Sequence, residues 1–346
     1  MRRRKSWATG ASRLISVAIL IGVSRKRKSR HACLRLLACT AAIASATLIS
    51  RAQQIGTLRP SPPLQQSSLA AAAQSVHEGR FAQAEALLRP LIAADPKAPE
   101  PRYLLAYALL REDKPADSLK EYTSAAALRP PSATDLRNVA LDYVLLHDLT
   151  DAEQWMSRSL AMDGNDAETW YAMGRLHYTQ GRYGDAMNCF QKTVALNPRS
   201  VKGENNLGLA YEALNRNDDA VTAYRTAIAW QRDDPAPSEQ PLLNLAILLL
   251  HRNQIQEAQQ LLEQAAKIAP KDPRIHENLG QVYLRTGRAP DAVKEFAAAS
   301  ALSPENPRFH YLLGQAYRRA GDDAHAKQEF ARSAALNGSH STSEQQ

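Results

Sequence analysis

The sequence predicts an all-α fold, a solenoid of antiparallel helix hairpins stacked along the chain. Three observations carry the prediction. Eight units, beginning at Gln65, Pro99, Ala133, Ala167, Val201, Glu239, Pro273 and Pro307, follow one another every 34 residues, with a single spacing of 38. The eighth and twentieth positions of every unit hold small side chains, while the twenty-fourth holds a large apolar or aromatic one. Proline closes most units at position 32.

Taken in order, the first unit carries Ala72, Ala84, Leu88 and Pro96, with no aromatic residue in its first helix. The second has Ala106, Ser118, Tyr122 and Pro130, and the third Ala140, Ala152 and Met156, with Gly164 where proline is expected. Gly174, Ala186, Phe190 and Pro198 mark the fourth, and Gly208, Ala220 and Tyr224 the fifth. The fifth ends in RDDPAPSE (232–239), whose four extra residues lengthen a loop and account for the longer spacing. Ala246, Ala258, Leu262 and Pro270 follow, then Gly280, Ala292, Phe296 and Pro304. The last unit has Gly314, Ala326 and Phe330, and Gly338 at its close. Gly and Ala fill 74 of the 346 places. Eight small residues in a row at a preset period is then roughly a one-in-a-hundred-thousand accident, so the register is real.

At 100° per residue, positions 4, 7, 8 and 11 share one helical face, and positions 20, 24 and 27 share a face on a second helix. Two helices joined near position 15 must pack through those faces. Glycine in mid-helix costs about 1 kcal/mol against alanine. Its repeated use at position 8 implies that a facing backbone comes too close for a larger side chain, with the small residue at 20 as the opposite wall. Proline at 32 stops the second helix. No unit can bury its apolar stripe alone, so the core is shared along the stack.

This pattern resembles the tetratricopeptide repeat (TPR), whose units carry a bulky residue at position 4, Leu-Gly at 7 and 8, Tyr at 11, Ala at 20, an aromatic at 24, Ala at 27 and Pro at 32. The unit from Ala167 shows it in Trp170, Met173-Gly174, Ala186, Phe190 and Pro198, with His177 replacing the tyrosine. The next shows Leu207-Gly208, Tyr211, Ala220, Tyr224 and Ala227. The resemblance covers 65–340. It implies a right-handed superhelix whose first helices line a concave groove, and a protein or extended peptide as the partner.

Positions 2, 5, 6, 9, 12 and 13 fall opposite the packing face of each first helix, and so become the expected groove lining. Position 6 is asparagine in three successive units, Asn206, Asn244 and Asn278. A carboxamide both donates and accepts, so such a row suits the backbone of an extended segment. It is similar to the asparagine ladder of some superhelical TPR proteins. Simple family consensus, with each amide bonded only to water, is the alternative. Arg274, Arg285, Arg308, Arg318 and Arg319, with Tyr311 and Gln315, suit an acidic segment or a C-terminal carboxylate, or are solvated charge interrupted by Glu277. In the fourth unit Glu168, Tyr171, Arg175 and Tyr178 share the groove face, the tyrosines as anchors or as packing against the next unit.

No catalytic or cofactor chemistry is expected. His276-Glu277 opens like a zinc-protease helix, but the place of the second imidazole, four residues on, is Gly280. His276 and His310 share position 4, a packing slot, and read as core histidines. Cys189 reads as a small half-buried residue. Glycine-rich phosphate loops, paired catalytic carboxylates and nucleophile triads do not stand out. The expectation is no enzyme, no metal, no small-molecule substrate and a protein partner.

The net charge of +8 does not point to nucleic acid, because it is unevenly placed. Residues 1–52 carry 12 Lys or Arg and no acid, which leaves 31 basic against 35 acidic residues and a net charge of −4 beyond them. Two apolar runs, LISVAILIGV (14–23) and LLACTAAIASATLI (36–49), flank a basic cluster, and each is shorter than the roughly 20 residues of a membrane-spanning helix. The second run, followed by Ser50-Arg51-Ala52, reads as an export signal cut before Gln53, with Ala46 as the other cleavage site. The first run is then surplus, and translation is expected to start downstream of Met1. A membrane anchor over 14–49 is the alternative. A Pro- and Gln-rich linker (53–64) and a disordered tail (341–346) complete the expected organisation, placed in the periplasm or outside the cell.

Overall fold

The structure, a computed structural model, describes residues 63–343, with side chains from 67 to 338. The chain divides into one unit ending at Ser67 and another from Ser68 onward. The leader and its cleavage sites lie outside the described residues, as does all of the linker before Pro63.

Among the described residues are sixteen helices and no strand. They pair as α1 (Pro63–His77) with α2 (Phe81–Ala94), α3 (Pro99–Arg111) with α4 (Pro115–Ala126), and α5 (Ala133–Leu145) with α6 (Leu149–Met162). Next come α7 (Ala167–Thr179) with α8 (Tyr183–Leu196), α9 (Val201–Ala213) with α10 (Asn217–Trp230), and α11 (Gln240–His251) with α12 (Ile255–Ile268). Last are α13 (Pro273–Arg285) with α14 (Ala289–Leu302) and α15 (Pro307–Arg319) with α16 (Asp323–Ser343). First helices begin at or within one residue of each expected unit start from the second unit on. Two of the expected boundaries shift. Helix α1 takes Pro63 and Leu64 from the linker, and α16 continues through residues 341–343, half of the expected tail.

Local chemistry explains the hairpins. Position 15 has positive φ in all eight units, at Gly79, Asp113, His147, Gly181, Asn215, Asn253, Gly287 and Gly321, with values from 57 to 84°. The amide after it reaches back to the carbonyl at position 11, as Arg182 does to His177 (2.9 Å) and Arg288 to Tyr283 (2.8 Å). This 6→1 bond ends the first helix and turns the chain within three residues. Five of the first helices start on side-chain caps, Ser132 in a capping box with Asp135, then Asp166, Ser200, Asp272 and Asn306.

The mid-helix glycines do not meet a backbone. A Cβ on Gly174, Gly208, Gly280 or Gly314 would stand 2.5–2.7 Å from a ring carbon of Phe190, Tyr224, Phe296 or Phe330, the position-24 residue of the same hairpin. Where position 8 is alanine, position 24 is aliphatic in Ala72/Leu88, Ala140/Met156 and Ala246/Leu262. The Ala106/Tyr122 pair departs from this rule. The correction is physical: the aromatic ring at position 24 of the same hairpin, not a facing backbone, takes the place of the methyl.

Successive first helices touch one another from α3 to α15, whereas successive second helices do not. The first helices therefore form the inner wall of the array, which is what positions a groove. The extra residues after α10 are pinned rather than loose, since buried Gln231 donates to the Ser238 carbonyl (2.7 Å) and accepts from its amide (2.9 Å).

Candidate functional site

The inner wall is narrower than the helical wheel implies. Position 5 is covered where another repeat follows, as at Tyr103, Asn205 and Leu243, and position 12 is buried at Leu110 and Leu250. Tyr311, in the last repeat, is 49% exposed because no first helix follows it among the described residues. Positions 6 and 9 remain half-open through the middle of the array. They give a row of Asn206, Asn244 and Asn278 beside Leu209, Ile247 and Gln281. The apolar pair Leu209 and Ile247 was not singled out from the sequence, where it is indistinguishable from core leucine and isoleucine.

The three asparagines are not equivalent. Asn206 Nδ2 donates to the Lys202 carbonyl (2.8 Å) and to the Tyr171 hydroxyl (3.2 Å) of the preceding repeat. Asn278 Nδ2 donates to the Arg274 carbonyl (2.7 Å), and Asn244 Nδ2 to Asn205 Oδ1 (2.9 Å). Both Nδ2 hydrogens of Asn206 and one each of Asn244 and Asn278 are thus used within the chain, and the carboxamide oxygens are acceptors open to the groove.

Around Tyr171 the fourth and fifth repeats build a second feature. Lys202 pairs with Glu168 (2.6 Å) and sits 4.8 Å above the Tyr171 ring, with exposed Arg175 at 6.0 Å on the same ring. Tyr178 stacks edge-on with Tyr183 (5.2 Å), and burial pushes its hydroxyl pKa up. Glu212, half-buried on the same wall, accepts from Tyr224 (3.1 Å), and burial raises its pKa.

The five arginines at the C-terminal end divide by partner. Arg274 folds back on its own N-cap Asp272 (2.6 Å), and Arg285 donates to the Leu250 carbonyl (2.9 Å), closing the end of α11. Arg308 pairs with Glu277 (2.6 Å) of the repeat before. Among the described residues, Arg318 and Arg319 have no carboxylate within ion-pair distance, and both are exposed. With Gln315 and Tyr311 they occupy one face of α15. The guanidinium of Arg318 lies 5.6 Å from the Phe330 ring.

Position 4 is more polar than a packing slot requires. His276 and His310 contact the carboxylates of Glu295 and Glu329, and Glu329 is 7% exposed. Cys189 is buried, not half-buried, and burial raises its thiol to about 11, which keeps it protonated. No group of three or more metal-ligating side chains is present among the described residues. No described helix is long and apolar enough to cross a membrane.

Sequence comparison fits this geometry. Two tetratricopeptide repeat profiles match, one at residues 75–138 and the other at 243–307 and 284–340, and that of the middle TPR-like domain of cilia and flagella-associated protein 70 matches 136–269. The chain belongs to the tetratricopeptide repeat family. Among TPR relatives, anaphase-promoting complex subunit 6 of Arabidopsis thaliana is 28% identical over 130 residues, 38% of this chain and 23% of that one. Cell division cycle protein 27 homolog B of the same plant is 25% identical over 212 residues, 61% and 28%. The chain thus spans about a quarter of the length of these curated relatives. In three dimensions this TPR array is similar to a tetratricopeptide repeat protein from Parabacteroides merdae, with TM-score 0.56 and 19% identity over 73% of this chain and 98% of that one. It is also similar to a chain of the Cut9–Hcn1 hetero-tetramer of the APC/C, with TM-score 0.55 and 16% identity over 78% and 52%. At such identities the likeness is one of fold.

Proposed function

We propose that this TPR protein is an exported, non-enzymatic scaffold that holds an extended segment of another protein along its first helices. The observation that carries the reading is the half-open row at positions 6 and 9. There, carboxamide acceptors at Asn206 and Asn278 alternate with the apolar side chains of Leu209 and Ile247. Acceptors at repeat spacing suit the amides of an extended backbone, and the apolar residues between them suit its alternate side chains. The uncompensated Arg318 and Arg319 favour a segment that is acidic where it meets the last repeat. Export rests on the leader sequence alone, with a membrane tether through 14–49 as its alternative.

A peptide array probed with the wild type and with a variant carrying Asn206→Ala, Asn244→Ala and Asn278→Ala tests the reading. Retained fold with a loss of extended-peptide binding supports it. Unchanged binding moves the site elsewhere. A second reading, a subunit that docks through its terminal repeats, is favoured by exposed Tyr311, Arg318 and Arg319 on α15, and one relative is itself named a complex subunit. Loss of partner capture on replacing those three residues, with the asparagine row intact and dispensable, would select it.

A further inference from the structure

We propose that the joints entering the seventh and eighth repeats are pH-responsive clasps. His276 and His310 each bridge a carboxylate on the following helix and the position-32 carbonyl of the preceding repeat, and hold both only as imidazolium. The joints tighten as pH falls and loosen as it rises, so the end of the array that presents Arg318 and Arg319 is regulated by protons. The effect on partner capture rests on the groove being the binding surface, whereas the clasp is a property of the chain alone.

The geometry is the same twice. Nδ1 of His276 is 2.7 Å from Glu295 Oε2, and its Nε2 is 2.8 Å from the Pro270 carbonyl oxygen. The matching distances for His310 are 2.6 Å to Glu329 Oε2 and 2.9 Å to the Pro304 oxygen. All four partners are acceptors. A neutral imidazole has one N–H, so deprotonation sets a ring lone pair against one of two oxygens at each joint. The site is enclosed enough for this to matter, with the His310 and Glu329 side chains each 9% exposed.

Other repeats make the two contacts with groups that do not titrate near neutrality. In the fourth, the indole N–H of Trp170, also at position 4, donates to the Gly164 carbonyl of the preceding repeat (2.9 Å). In the second, Arg102 at position 4 pairs with Glu121 at position 23 (2.9 Å), the place that Glu295 and Glu329 take in theirs. Histidine combines both contacts and makes them conditional.

The groups facing His276 are Glu295 from α14, the Pro270 carbonyl after α12, and Asp272 ahead of α13, whose charge is met by Arg274. His310 faces Glu329 from α16, whose other oxygen takes Arg332 (2.8 Å), and the Pro304 carbonyl after α14. The hydrogen bond to Glu295 raises the His276 pKa above its ordinary 6.5. Its contribution is therefore complete below about 6.5 and lost as pH rises through the elevated value.

Hydrogen exchange on the full chain, corrected for intrinsic rates, tests the clasp by comparing α15 and α16 with α7 and α8, whose joint Trp170 holds. Between pH 6 and pH 9 the relative protection of α15 and α16 should fall about tenfold in the wild type, the loss of one hydrogen bond at each of two joints, and stay level in His276→Gln/His310→Gln. A level wild-type ratio, or an undiminished slope in the double variant, would overturn the proposal. If that variant does not fold, imidazole nitrogen shifts of the wild type decide. For His276, two protonated ring nitrogens persisting above pH 6.5 support the clasp, and a neutral His276 ring at pH 6.5 overturns it. Neither measurement uses a partner, so a negative result leaves the groove reading standing, and failure of the asparagine test leaves the clasp standing.

Discussion

The Phe296 ring lies where a side chain on residue 280 would begin, 2.7 Å from the position of a Cβ on Gly280. Helix propensity favours alanine at 280 by about 1 kcal/mol, and overpacking a dense core opposes it by about 1–3 kcal/mol. Gly280→Ala is therefore expected to destabilise. Adding Phe296→Leu, which recreates the Ala246/Leu262 pair of the preceding repeat, should recover part of the loss. Urea unfolding of the two variants and of Phe296→Leu alone gives the coupling, whose expected sign is favourable.

A buried acid sets an unusual pH profile. Asp142, fully buried on α5 where it meets α4, accepts from Ser118 Oγ at one oxygen (2.7 Å), has no hydrogen-bond partner at the other, and burial raises its pKa to about 7. The native state binds this proton more tightly than the unfolded chain, so its contribution is complete below about pH 4 and lost progressively as pH rises to about 7. The loss is at most about 4 kcal/mol, from the 1.36 kcal/mol carried by each pKa unit. Asp142→Asn should flatten this part of the stability profile, and melts from pH 4 to 9 check it.

Four hairpin turns hold a non-glycine residue in the left-handed region, including His147 at φ 59° and Asp113 at φ 57°. That conformation costs an L-residue roughly 1–2 kcal/mol, partly offset by the greater unfolded-state freedom of glycine. His147→Gly is expected to stabilise by about 0.5–1 kcal/mol. At Gly181, φ 75°, alanine should destabilise by a similar amount. Paired thermal melts at one pH measure both.

What the sequence made legible was periodic. Positions 8, 20 and 24 recur often enough to fix the register, the hairpins and the face each helix buries. The identity of the object facing position 8 was not periodic information. A missing methyl signals crowding without naming the neighbour, and the alternation of Gly with Phe or Tyr and Ala with Leu or Met was the unused clue. Arg274 and Arg285 point toward the groove side of a helical wheel, yet Asp272 and the Leu250 carbonyl engage them, partners set by cap geometry rather than by spacing. The histidine clasps escaped for a related reason. Their carboxylates lie 19 residues away on another helix, and only the Arg102/Glu121 pair at the same two positions hinted at them.

Photo-crosslinking in the native host tests the groove claim most directly, with a crosslinkable residue placed one at a time at Ile247 and Gln281 on first helices, or at Arg225 and Gln259 on second helices. Covalent capture of the same protein partner from 247 and 281, and none from 225 and 259, is the expected result. Capture from 225 and 259 with none from 247 and 281 would contradict it, because the partner would then lie on the outer helices.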